Sequence, residues 1–253
     1  GVSSTPALAE AAERHRLAGP PVPGVVRVMT YNLLAAQYAD TAFARANLFA
    51  YVDPESMDAL LRRSLQLHEV LGFEPDVVCL QEMDAKPFDQ FWAPAMAAAG
   101  FEGAYLNKAG HAPEGIALFF RRDRWRLVTY RAVALQDCFQ EAAAQGASNL
   151  PRIRAFLSDP GRRELARVVR TKLATVAQIA VLQGAGRRLC VANTHLFFHP
   201  GASHIRMLQA AAITDLIEET LASVGPGDVT AGPGDVATTG DVTGVVFCGD
   251  LNS

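Results

Sequence analysis

The chain has 253 residues, a formal charge of −3, 50% hydrophobic residues and 19% charged ones. That balance excludes a disordered or fibrous chain and a histone-like polycation, and the length fits one large α/β domain or two small ones. No apolar run approaches the roughly 18 residues of a membrane span.

The four cysteines, Cys79, Cys138, Cys190 and Cys248, share no CxxC spacing and read as inert core thiols, which favours a reducing compartment. An intracellular setting, cytoplasmic or mitochondrial, is therefore expected. The chain opens on Gly1 rather than Met, which leaves an upstream targeting segment open.

Residues 1–24 read as an extension or linker, because Gly19-Pro20-Pro21-Val22-Pro23-Gly24 stops a helix and favours extended backbone. The compact domain is expected over residues 25–253. Apolar runs predict strands over residues 25–31, 76–81, 115–121, 177–183, 189–195 and 245–250. Several are nearly continuous, the pattern of strands covered on both faces. Gly184-Ala185-Gly186 reads as a hairpin turn between the fourth and fifth.

Asp53-Pro54-Glu55 predicts a helix start, with Met57, Leu60, Leu61, Leu65, His68 and Leu71 on one face and Gly72 closing it. A second helix is predicted over residues 204–223, burying Ile205, Leu208, Ala212, Ile213, Leu216 and Ile217. Residues 225–244, GPGDVTAGPGDVATTGDVTG, read as a low-complexity surface loop. Strands alternating with helices, hairpins included, indicate a layered α/β fold.

The chemistry gathers at strand ends. Successive apolar runs close on Thr30-Tyr31-Asn32, Leu80-Gln81-Glu82, Asn193-Thr194-His195 and Gly249-Asp250-Leu251-Asn252. Open α/β sheets place ligands at such carboxyl ends. The set suits a hard cation: Mg²⁺ takes one or two protein oxygens and keeps room for water and phosphate. Glu82 offers a carboxylate and Asn32 an amide oxygen. Asp250 could hold and deprotonate water, while Asn252 and His195 donate to a phosphorane. The spacings offer no convincing zinc site.

These motifs, in this order, resemble the endonuclease/exonuclease/phosphatase superfamily. Within it, Tyr31-Asn32-Leu33-Leu34-Ala35, Tyr38-Ala39-Asp40-Thr41, Glu114-Gly115-Ile116-Ala117-Leu118-Phe119-Phe120 and Asn193-Thr194-His195-Leu196-Phe197-Phe198-His199-Pro200 resemble the 2',5'-phosphodiesterase branch, kin to CCR-type deadenylases and nocturnin. The resemblance implies a DNase I-like two-sheet α/β sandwich. It also implies Mg²⁺-dependent hydrolysis, with Mn²⁺ a possible substitute, of single-stranded adenosine-rich RNA or oligoadenylate to 5'-mononucleotides.

By position, Glu82 and Asn32 would serve the metal, and Asp250, Asn252, His195 and Asn193 the catalysis. His199, Phe197, Arg206 and His111 are expected at the substrate. Family members continue beyond the position of Ser253 to a Ser-Asp-His motif, so the last strands of the sandwich are expected to be missing here.

Two rivals stand beside this reading: an inactive RNA-binding fragment, and the same fold acting on a phosphoinositide or abasic DNA. Residues 151–172 carry Arg152, Arg154, Arg162, Arg163, Arg167, Arg170 and Lys172, either a solvated helix face or a track for an RNA backbone.

Overall fold

The computed structural model describes residues 6–110, 112–140, 149–184, 186–224 and 242–252. In chain order the main elements are α1 (Pro6–Ala18), β1 (Val28–Asn32), α2 (Ala59–Gly72), β2 (Val77–Asp84), β3 (Phe101–Asn107), β4 (Glu114–Arg121), β5 (Arg126–Ala134), α3 (Asn149–Leu157), α4 (Arg163–Thr171), β6 (Val176–Gly184), β7 (Arg187–His195), α5 (Ser203–Ser223) and β8 (Val242–Asp250).

The strands form two four-stranded sheets, ordered β1-β2-β4-β3 and β5-β6-β7-β8. Only β1 with β2 and β7 with β8 run parallel, so each sheet is mixed.

Alternation along the strands explains the layering. Val77 and Cys79 of β2 meet Ala180, Leu182, Leu189 and Val191 of the opposite sheet. Their neighbours Val78 and Leu80 pack outward with Val70, Trp92 and Met96. On the other side, Ile179, Cys190 and Ala192 face α3, α4 and α5. Both faces of each central strand are dry, which is why those strands read as continuous apolar runs. The result is the two-sheet α/β sandwich expected from the motifs.

The buried stripe predicted for the second long helix is also found, on α5.

Several details differ from the sequence reading. Strands β3 and β5 were not foreseen. Each lies at the edge of its sheet and mixes polar with apolar residues on a half-exposed surface. The predicted helix start at Asp53 is a separate 3₁₀ turn, Pro54–Met57. Helix α2 begins afresh behind Asp58, whose carboxylate accepts from the N–H groups of Leu60 and Leu61.

Ahead of the proline stretch, α1 packs on α2: Arg14 pairs with Glu69, and His15 stands edge-on to Phe73 with its ring centroid 4.8 Å away. The turn residue Ala185 and most of the low-complexity stretch, residues 225–241, lie outside the described residues.

One buried carboxylate joins two helices. Asp215 of α5 accepts from the side chain of Asn149 and the backbone N–H of Leu150, so it caps α3 from a different element. Replacing it with Ala leaves that N–H unsatisfied and is expected to destabilise the fold by about 2 kcal/mol, read by urea unfolding. An unchanged midpoint would show that water replaces the cap.

Candidate active site

The inner faces of the two sheets change character toward one rim. On β1 the inward series runs Val28, Thr30, Asn32; on β7 it runs Val191, Asn193, His195; on β8 it runs Val246, Cys248, Asp250. The parallel pairings align these ends, with Asn32 opposite Gln81 and His195 opposite Asp250. An apolar interlayer therefore opens into a polar one at the carboxyl ends of four strands.

Strict alternation would aim Glu82 outward with Leu80, toward α2. A bulge between Gln81 and Met83 prevents this. Glu82 takes φ of +54°, turning its carboxylate to the rim, while Met83 is buried in the outer core. Leu34 and Asn252 also have positive φ, 56° and 52°, and all three residues line one cavity. Non-glycine residues in this region cost on the order of 1–3 kcal/mol each and cluster at functional sites. Gly249 serves the same rim. Its φ is +138°, and a Cβ there would lie 2.0 Å from the Thr194 carbonyl oxygen, so only glycine lets β8 approach β7 so closely.

Asn32 is the hub. Its Nδ2 donates to Glu82 Oε1 at 2.8 Å and to Asp250 Oδ2 at 2.9 Å, while its Oδ1 accepts from the Leu34 N–H. The amide oxygen expected to face a cation is thus occupied, and Asn32 meets the site through its NH₂, bridging two carboxylates. The backbone N–H of Ala35 donates to Glu82 Oε2, and that of Asn252 to Asp250 Oδ1. Asn252 donates its own side-chain N–H to the Leu196 carbonyl. His195 lies beside them, its Nε2 3.8 Å from Asp250 Oδ2.

Three residues not anticipated as site groups complete this corner. Lys108 Nζ lies 3.4 Å from His195 Nδ1 and forms an ion pair with the buried Glu114 carboxylate, which also accepts from Tyr38 Oη. Burial pushes the His195 imidazole below its ordinary range and the Lys108 ammonium adds to this, against a partial pull from Asp250 and Glu82. A neutral ring that accepts from Lys108 at Nδ1 carries its proton on Nε2, on the side of Asp250. Burial raises the Glu114 carboxyl, offset in part by Lys108, and holds the Tyr38 phenol up at about 12. Lys108 follows the unforeseen edge strand β3. The available signals are Tyr38 and Glu114, each opening a stretch that carries the resemblance, Glu114 as an acid ahead of an apolar run.

Two cavities meet over these groups and share Phe198, Asp250 and Asn252. One, about 770 Å³, is lined by Thr30, Asn32, Pro200 and Arg206. The other, about 560 Å³, is lined by Tyr38, Glu82, Lys108, Lys172, His195 and Phe197.

Of the expected substrate residues, Phe197 lines the second cavity and stacks loosely on His199 at 6.4 Å. Arg206 reaches the first, but its guanidinium donates to the carbonyls of Phe197, His199 and Pro200 and clasps that loop. His111 lies outside the described residues. From the basic stretch, Lys172 reaches a cavity, whereas Arg154, Arg162, Arg167 and Arg170 are engaged by local carbonyls or acids.

Asn193 calls for a correction. Expected among the catalytic groups, it is fully buried one pleat below His195 and lines neither cavity. Depth, not direction, separates the two.

The donor set bears on a metal. Among the described residues no three His, Cys, Asp or Glu side chains converge as a closed metal cage. Two carboxylates sharing one amide at the mouth of a cavity are hard oxygen donors with mutual repulsion to relieve, and they fit an ion such as Mg²⁺ that retains water and phosphate.

Two mixed sheets packed face to face, with polar strand ends gathered at one rim, define a DNase I-like α/β fold. Residues 29–253 match the Endonuclease/Exonuclease/phosphatase family, and the chain belongs to it. That family, by its description, is one of endonucleases, exonucleases and phosphatases.

Among its relatives, 2',5'-phosphodiesterase 12 of Rattus norvegicus is 33% identical over 231 residues, 90% of this chain and 34% of that protein. Nocturnin of Xenopus laevis is 27% identical across 91% of this chain and 48% of its own length. The chain thus spans between a third and a half of these relatives. They fall in the branch whose motifs the strand ends resemble. The crystal structure of ANGEL2, a 2',3'-cyclic phosphatase, matches in fold with a TM-score of 0.64 at 22% identity, over 92% of this chain and 57% of that one. No helix among the described residues is long and apolar enough to cross a membrane.

Proposed function

We propose that this chain carries the catalytic rim of a Mg²⁺-dependent phosphodiesterase. Its substrate would be single-stranded adenosine-rich RNA, 2',5'-oligoadenylate or poly(A), cleaved from the 3' end to nucleoside 5'-monophosphates. The observation that carries this reading is the convergence of Glu82 and Asp250 on Asn32, with His195 and Lys108 beside them.

Glu82 would hold Mg²⁺, with Mn²⁺ a possible substitute, and Asn32 keeps that carboxylate in place. When bound, the ion supplies positive charge to the phosphate oxygens. Asp250 orients a water and takes its proton as oxygen attacks phosphorus. The bond from phosphorus to the ribose oxygen of the remaining strand breaks, and that oxygen leaves as a hydroxyl, protonated by solvent water. His195 Nε2–H and the second amide hydrogen of Asn252 would stabilise the added negative charge. Lys108 and Lys172 give the cavity a cationic wall for a phosphate, and Phe197 and Phe198 an apolar surface for a base.

The test is AMP release from 2',5'-triadenylate and from oligo(A), using this chain and any longer form its transcript encodes. Release should require Mg²⁺, stop with a chelator, and fall by at least about a hundredfold in Glu82→Gln. Salt-dependent RNA binding without release would instead favour a binding role. Preferred cleavage of inositol phosphates or an abasic duplex would overturn the substrate.

A further inference from the structure

At the floor of the first cavity, which Gln81 lines and Asn193 does not, the two sheets are joined by a buried amide pair. Gln81 and Asn193, 1% and 0% exposed, belong to opposite sheets and meet through a hydrogen bond of 2.9 Å from Gln81 Nε2 to Asn193 Oδ1. Each amide is oriented by further partners. Asn193 Nδ2 faces the Ala117 carbonyl at 3.0 Å and Gln178 Oε1 at 3.2 Å, so its oxygen can only face Gln81. Gln81 Nε2 also lies 3.1 Å from Thr30 Oγ1 and from the Cys79 carbonyl.

Elsewhere the interlayer is built mostly from Val, Leu, Cys and aromatic side chains, with Gln178 adding a further bond between the sheets, from its Nε2 to the Ala104 carbonyl at 2.9 Å. Buried amides in that setting contribute directional specificity where an apolar layer would tolerate sliding.

Their placement says what they specify. Gln81 immediately precedes Glu82, at the bulge that turns that carboxylate inward. Asn193 is two residues before His195, and its strand pairs with β8 so that His195 stands opposite Asp250. The Gln81–Asn193 bond therefore ties the strand end bearing Glu82 to the strand ends bearing His195 and Asp250. Asn32 contacts both carboxylates in the layer above, but from an edge strand and at the mouth of a cavity.

We infer that Gln81 and Asn193 are positioning residues: their inter-sheet hydrogen bond sets the separation of Glu82 from Asp250 and His195. For catalysis this rests on the proposed phosphodiesterase reading; for geometry it stands alone. A site of this kind must be held to roughly 0.5 Å, and a misplacement of about 1 Å can lower turnover about a hundredfold.

The experiment compares Gln81→Met, Asn193→Leu, the double variant and Tyr130→Phe. Tyr130 holds the far end of the same network, accepting from Gln178 at 2.8 Å. Each positioning variant should lower kcat on oligoadenylate about tenfold to a hundredfold with KM within about threefold. The double variant should lose no more than the worse single, as two ends of one link do. Tyr130→Phe should lower Tm and leave kcat unchanged.

Losses that multiply, or a normal kcat in Gln81→Met, would overturn the inference. Should Gln81→Met fail to fold, Thr30→Val removes one of the Gln81 partners; a smaller fall in kcat at constant KM supports the inference, and an unchanged kcat overturns it. A crystal structure of whichever variant folds decides the geometry without substrate. If Glu82 and Asp250 both stay on Asn32, the inference fails. If the wild-type chain turns over no RNA, the functional reading fails, and this structure still decides the positioning.

Discussion

Asp250→Asn is expected to lower kcat on oligoadenylate by about 10²- to 10⁴-fold, with KM changed by less than about threefold. The substitution keeps size and shape, and the amide oxygen can still accept from the Asn252 N–H, as Oδ1 does now at 3.0 Å. What it removes is the negative charge that can take a proton from water. It also relieves the repulsion between Asp250 and Glu82 across Asn32, but its NH₂ takes the place of the Oδ2 that accepts from the Asn32 amide, so a net loss of stability of about 1 kcal/mol is expected. A loss of rate far larger than so small a loss of stability is the signature of a group that works in the transition state. Rapid-quench measurement of AMP release beside a thermal melt reads both. A rate within threefold of wild type would remove Asp250 from the chemistry and leave the rim without a base.

How much of this rim was legible in the sequence follows from how each strand is buried. The central strands β2 and β7 have two dry faces, so they appear as apolar runs whose polar ends, Glu82 and His195, stand out. Strands β1 and β8 are half-exposed edge strands, and Asn32 and Asp250 are legible because short apolar runs stop at them. Two aspects were hidden. Strands β3 and β5 border solvent and blend polar with apolar residues, so Lys108, just beyond β3, had no strand end to mark it.

Depth was hidden as well. Asn193 and His195 share a face and differ by one pleat, which places one in a sealed layer and the other at a cavity. Alternation alone would also have sent Glu82 to the wrong side of its sheet; the bulge that corrects this lies in backbone torsions. Asn32 was found but read through the wrong atom, because its Oδ1 is claimed by an N–H two residues ahead.

Lys108→Met is expected to lower kcat/KM about a hundredfold and to raise the pH at which His195 takes up its proton. Two effects combine. The ammonium lines the cavity where a phosphate would lie, so its charge is lost to the substrate. It also holds the neighbouring imidazole neutral: after burial, Lys108 is the largest influence lowering His195. Without it, His195 binds a proton at higher pH.

The stability consequence has a definite sign. An unfolded His takes up its proton near pH 6.5, while folded His195 does so only at lower pH. In the window between, the unfolded chain binds more protons, so wild-type stability falls as pH falls below roughly 6.5. Lys108→Met narrows that window and should weaken the pH dependence of Tm there. It also strips Glu114 of its cation, and the buried carboxyl, already raised by desolvation, moves further up. A Lys108→Arg companion keeps the charge and should largely restore both. NMR titration of the His195 ring protons is the direct measurement. A midpoint that stays put or falls in Lys108→Met would mean that burial alone keeps the ring neutral, and that Lys108 serves Glu114 rather than the histidine.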